Sequence, residues 1–193
     1  MTQAVTANRL TGRAIGALIF TGFGTLWLFL SLYAREQVSA MSLAGLALIA
    51  AGLMLAAVYL LGQAKRLPRV PDDPRIMKMF HWINAIQWVV CFVLATILGR
   101  LHLDAYIVPL IACIVGLHLF PLARLFRYPM HYATGTAMVL WAAGAMIVVP
   151  ADHVQGITAL GAGVILLSSA AVTLALALET ARRAIPQVHA EPA

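Results

Sequence analysis

Charge is scarce in this chain, and acid is scarcer still: 10% of its 193 residues are charged, with seven Asp and Glu against 13 Lys and Arg. An ordinary soluble domain carries about 25% charged residues. A hydrophobic content of 62% therefore points to lipid as the solvent of most of the chain. Cysteine is almost absent. Cys91 and Cys113 both lie in apolar runs, with no C-x-x-C pair and no Cys/His metal spacing, which excludes a disulfide framework and offers no metal site. Both are expected to be free, inert thiols. Neither G-x-S-x-G nor H-E-x-x-H occurs, and the third to fifth apolar segments contain no Asp or Glu. An intramembrane hydrolase would then lack its acid and its nucleophile motif, so no catalytic residue is assigned and a non-enzymatic role is favoured. The pI near 9.9 would suit nucleic acid, but no basic patch is interleaved with aromatics on a soluble face. Nucleic-acid binding is not expected.

What is present is a set of six apolar segments, roughly 13 to 33, 41 to 62, 79 to 99, 105 to 123, 132 to 149 and 156 to 178. Each is close to the 20 or so residues that one bilayer crossing takes. No segment between them is long enough for a soluble domain, so residues 1–193 read as one all-α transmembrane domain, a six-helix bundle, with 184–193 as a disordered tail. Arg9 and Arg13 ahead of the first segment resemble a signal-peptide n-region. The run continues to Tyr33 without a small-x-small cleavage context, so it is expected to stay as a membrane helix. Of the 13 Lys and Arg, all but Arg35 and Arg100 fall on one side of the six crossings. By the positive-inside rule both termini are cytoplasmic.

Small residues mark where helices are expected to meet. Gly12 and Gly16 have the G-x-x-x-G spacing, and Gly156, Gly163, Ala170 and Ala177 repeat every seven residues; both patterns let helix backbones approach closely. A single bundle of this size offers little room for an alternating-access pathway, so a homodimer sharing the first or the sixth helix is expected. Trp27 and Tyr33 are expected at the outer interface. Asp72 and Asp73 before Pro74 read as the cap of a helix starting near Arg75.

Polar residues inside apolar segments are few and grouped. His81, Asn84 and Gln87 recur at three-residue spacing beside Trp88, on one face of the third helix. His118 stands about five residues short of the end of the fourth, about 8 Å deep, the same depth as Asn84 on an antiparallel neighbour. Pro121 follows, where a helix is expected to kink and free a carbonyl. Arg124, Arg127 and His131 are placed in the next loop, and Tyr132 opens the fifth helix. His81, Asn84, Gln87, His118, Arg124 and Tyr132 thus form the candidate ligand-binding set, a cytoplasm-facing pocket for a small anionic or amphipathic solute, with histidines able to couple binding to protons. The alternative is a hydrogen-bond cluster that only fixes helix packing in a structural or assembly protein. A lesser alternative makes His81 and His118 axial ligands of a haem; otherwise no cofactor or metal is expected.

The combination of His81-Trp82-x-Asn84-Ala85-x-Gln87-Trp88 with Gly116-Leu117-His118-Leu119-Phe120-Pro121-Leu122-Ala123-Arg124-Leu125-Phe126-Arg127 resembles small bacterial six-helix integral membrane proteins of no known activity. The resemblance covers most of the third to fifth helices. It implies a bacterial inner-membrane setting and nothing about mechanism.

Overall fold

The computed structural model describes residues 7–69, 71 and 73–190. Six helices account for almost all of them: α1 Ala7–Ala34, α2 Ala40–Ala64, α3 Pro74–Arg100, α4 Ile107–Leu125, α5 Met130–Val148 and α6 Val154–Ala190. A 3₁₀ turn, Asp104–Tyr106, leads into α4. All six are long and apolar enough to cross a membrane. α1 begins at Ala7, so Arg9 and Arg13 sit within it rather than ahead of it. α6 continues to Ala190 through most of the segment read as a tail; residues 191–193 lie outside the described residues.

Helix ends follow local chemistry. Pro74 is the first residue of α3, and the Asp73 carboxylate caps it by accepting from the Arg75 N–H at 2.8 Å; Asp72 lies outside the described residues. Ser39 and Ser42 form a reciprocal capping box on α2. Three helices end in a left-handed non-glycine residue: Glu36 after α1, His102 after α3 and Arg127 after α4, with φ of 54°, 56° and 49°. In each, the next N–H reaches back to the helix: Gln37 to the Leu32 carbonyl, Leu103 to Leu98, and Tyr128 to Ala123, at 2.8–3.0 Å. These are Schellman closures, made without the glycine that usually supplies them.

The pair α1 and α6 forms the most extensive interface, followed by α4 with α5. The seven-residue repeat of α6 accounts for the first. Gly156 and Gly163 face α1, Ala170 and Ala177 are fully buried, and a Cβ on Gly163 would stand 2.9 Å from the Gly24 carbonyl oxygen. The Ser31 hydroxyl donates across the same seam to the Gly156 carbonyl at 2.8 Å. Gly12 and Gly16 do not take part in any such approach: a Cβ on either would meet nothing within 4 Å. They share a spacing with close-packed glycines but face open space. Trp27, expected at the interface, is instead a core residue at 8% exposure, whereas Tyr33 is exposed.

α2 lies against α1 and reaches α6, α5 lies against α6, and α3 packs on α4 at the edge of the bundle. Phe80 and Ile83 point α3 inward, while Trp82, Trp88, Val89 and Phe92 are exposed. Such an apolar exterior is what contact with lipid requires, since the bilayer core offers nothing to a polar group. The start of α1, the α2–α3 link, the α4–α5 turn and the Thr173 part of α6 meet at one end of the bundle, as the bonds Ala7 N–H to Pro68 carbonyl and Tyr128 to Thr173 show.

Candidate functional site

The six side chains expected to share one pocket are placed in separate surroundings. His81 is exposed on α3 and lines an open cleft of about 560 Å³ with Pro74, Met77, Lys78, Trp82 and Ala85, none of them from the expected set. Asn84 spends its amide on its own helix, donating from Nδ2 to the Phe80 carbonyl at 2.7 Å. Gln87 is half-buried, Arg124 is exposed in the last turn of α4, and Tyr132 is exposed with its ring against Phe120 at 5.6 Å. Among the described residues no hydrogen bond joins any two of the six. Glu179, also near this end of α6, pairs with Arg183 of its own helix at 2.8 Å. The two histidines considered as haem ligands differ in kind: His81 faces outward, and the Nε2 of His118 is enclosed.

His118 leads to a different cluster. Its Nε2 is buried without a hydrogen-bond partner, and so is the Nδ1 of His131. His131 is not a loop residue. It lies in the first turn of α5, and where Gly116 of α4 meets Gly135 of α5 the antiparallel register puts it within a turn of the level of His118. The contact between α4 and α5 that brings them together is made backbone to backbone, because Gly116 and Gly135 remove the side chains that would separate the two helices. Around His131 stand Phe20 of α1 and Tyr128 of the α4–α5 turn, with ring centroids at 5.5 and 5.1 Å, both edge-on.

Tyr128 is the hub. The left-handed Arg127 turns the chain after α4 so that Tyr128 points into the bundle, where its hydroxyl bonds Thr173 of α6 at 3.0 Å. The Arg13 guanidinium of α1 lies over the other side of the cluster, 5.4 Å from the Tyr128 ring centre, within the range of a cation–π contact. One turn deeper, Thr134 donates to the Met130 carbonyl at 3.0 Å and bonds Ser169 at 2.8 Å; with a single proton on each hydroxyl, Ser169 must be the donor of the pair. Ser169 and Thr173 thus tie α6 to α5 and to the turn.

The cluster therefore joins four helices and a turn: Arg13 and Phe20 from α1, His118 from α4, Tyr128 from the turn, His131 from α5, and Thr173 and Ser169 from α6. Its hydroxyls are paired and its imidazoles are not. Buried polar groups without partners are rare; the hydroxyls of Thr21 and Thr158 are two others among the described residues, but an ionisable group inside a membrane is by default a site hypothesis. Arg13, Tyr128 and His131 were not among the expected site residues. The signal available for them was the seven-residue interval from Arg13 to Phe20, which puts both on one face of α1, and the Tyr128-Pro129-Met130-His131 sequence at a helix start. No group of three or more His, Cys, Asp or Glu among the described residues could hold a metal ion.

Fold and site together define a multi-pass helical membrane protein with a polar cluster at one end of its bundle. No protein family, curated protein or solved structure matches the chain.

Proposed function

We propose that this protein binds a small solute in the cluster around His118 and His131 and moves it, coupled to a proton, through the inner membrane of a bacterium. The two enclosed, unpartnered imidazole nitrogens carry this reading. A buried donor or acceptor left unsatisfied costs about 1–3 kcal/mol, and a bound solute or a transferred proton relieves that cost. With both termini in the cytoplasm, as the positive-inside rule argues for 11 of the 13 Lys and Arg, the cluster lies at the cytoplasmic end of the bundle.

The second reading is a structural or assembly protein whose polar cluster only fixes the helices. The bonds from Tyr128 to Thr173 and from Thr134 to Ser169 favour it, since they lock α5 and the turn onto α6.

Water access separates the two. With Cys91 and Cys113 replaced by alanine, His118→Cys in inside-out vesicles is expected to react with a membrane-impermeant thiol reagent. A thiol at 118 that stays unlabelled from both sides of the membrane would replace the solute reading with the structural one.

A further inference from the structure

We infer that the group bound at this cluster is a phosphate-type oxyanion, held by the guanidinium of Arg13; this rests on reading the cluster as a ligand site. Arg13 is the only Lys or Arg among the described residues that is not exposed. Of the chain's seven acidic residues, the five described, Glu36, Asp73, Asp104, Asp152 and Glu179, are all exposed. Their ion pairs, Asp152 with His153 and Glu179 with Arg183, are made elsewhere. A guanidinium brings five N–H donors in a rigid fork. Here its described interaction is with the π face of Tyr128, which attracts the charge but accepts no fork of hydrogen bonds.

Among the described residues the surroundings of Arg13 add positive charge and no ion pair with an acid. Arg9, one turn earlier on α1, acts electrostatically on Arg13 with the same sign. The Nε2 of His118 and the Nδ1 of His131 are free to donate, each in the matching tautomer. Arg13 is half-buried and has no ion pair among the described residues, and a bidentate oxyanion is the partner an arginine fork fits best. Arg13 lies six residues into α1, about 9 Å along it, at the bundle end where lipid headgroups also stand. The oxyanion is thus either free phosphate or the phosphate of an anionic lipid.

Thermal unfolding of the full chain separates these sources. In dodecyl maltoside, inorganic phosphate is expected to raise the unfolding midpoint above that in chloride of equal ionic strength. In phosphatidylcholine nanodiscs, added phosphatidylglycerol is the second probe. A rise with phosphate assigns a soluble oxyanion, and a rise only with phosphatidylglycerol assigns a headgroup. Either supports the inference when Arg13→Gln abolishes the rise and Arg9→Gln keeps at least half of it. No rise with either probe, or an equal rise in Arg13→Gln, overturns it. If Arg13→Gln does not fold, phenylglyoxal modification of the wild type takes its place: the effective probe should shield Arg13 and leave Arg9 reactive, and an unshielded Arg13 overturns the inference. A labelled His118→Cys without an Arg13-dependent shift removes the anion alone; an unlabelled one with the shift removes the solute pathway alone.

Discussion

Gly116 and Gly135 touch through their backbones: a Cβ added to Gly135 would stand 2.5 Å from the Gly116 carbonyl oxygen, and one added to Gly116 would stand 2.8 Å from that of Gly135. Neither contact is with a flexible side chain that swings aside. Gly116→Ala and Gly135→Ala must therefore separate α4 from α5, an overpacking that costs about 1–3 kcal/mol. Gly144→Ala, also in α5, meets nothing within 4 Å and gains about 0.5–1 kcal/mol from the better helix former. Reversible unfolding in mixed micelles should return opposite signs for Gly135 and Gly144. Equal signs would mean that the two helices are not in contact.

Arg127 holds φ 49° where glycine is the usual residue. Left-handed backbone costs a residue with a Cβ about 1–2 kcal/mol, and glycine returns part of that by loosening the unfolded chain. Arg127→Gly is expected to raise stability by about 0.5–1 kcal/mol on balance, with Tyr128 still facing inward. A loss of stability in the same unfolding assay would show that the Arg127 side chain contributes more than its backbone strain removes.

Much of the fold was legible because it rests on periodicity. Six apolar segments, the Asp73 and Pro74 start of α3 and the Gly156 to Ala177 seam all depend on residue type at fixed spacing. Gly12 and Gly16 show the limit of that reasoning, since spacing identifies a stripe without saying which neighbour it faces. The site was legible in part, for a related reason. Depth along a helix follows from counting, which put His118 and Asn84 level, but rotation about the helix axis does not. Asn84 turned back to Phe80, and His118 was matched instead by His131. The sequence reads His131 as a loop residue with Arg124 and Arg127, whereas α5 begins directly after Pro129. The contribution of Arg13 needed α1 to be placed beside a turn more than a hundred residues away.

Orientation is the premise of the cytoplasmic reading and is directly measurable. Reporter fusions after Gln63 and after Ala184 are expected to report cytoplasm, and one near Asp152 the opposite side. A periplasmic signal after Ala184 would turn the cluster outward and reverse the side from which His118→Cys is labelled.

Trp141 fixes the far half of α5 to α6. Its Nε1–H donates to the Ile157 carbonyl at 3.1 Å, and its indole covers Gly161 so closely that a Cβ there would collide with the ring. Trp141→Phe removes the bond and should cost about 0.5–1.5 kcal/mol. Gly161→Ala should cost more, because the ring must leave. A reversed order in chemical or thermal unfolding would indicate that the indole has room to move.

The sharpest comparison is between His131 and Thr134, neighbours one turn apart in α5. The Nδ1 of His131 has no partner, while its ring packs on Phe20 and Tyr128. Phenylalanine keeps the ring contacts and removes the unsatisfied nitrogen, so His131→Phe is expected to leave stability unchanged or raise it by up to about 1 kcal/mol, since deleting an unpaired buried group is neutral or favourable. Thr134→Val preserves shape but deprives the Ser169 hydroxyl of its acceptor, at a cost of about 1–3 kcal/mol. If the cluster serves a solute, His131→Phe should be stable and yet lose proton-coupled uptake in vesicles. If it serves packing alone, the ring contacts that phenylalanine keeps are sufficient, and His131→Phe should be stable and leave uptake unchanged. A stable His131→Phe protein that retains all solute binding and transport would leave the imidazole with packing alone, and the proposed function would have to be withdrawn.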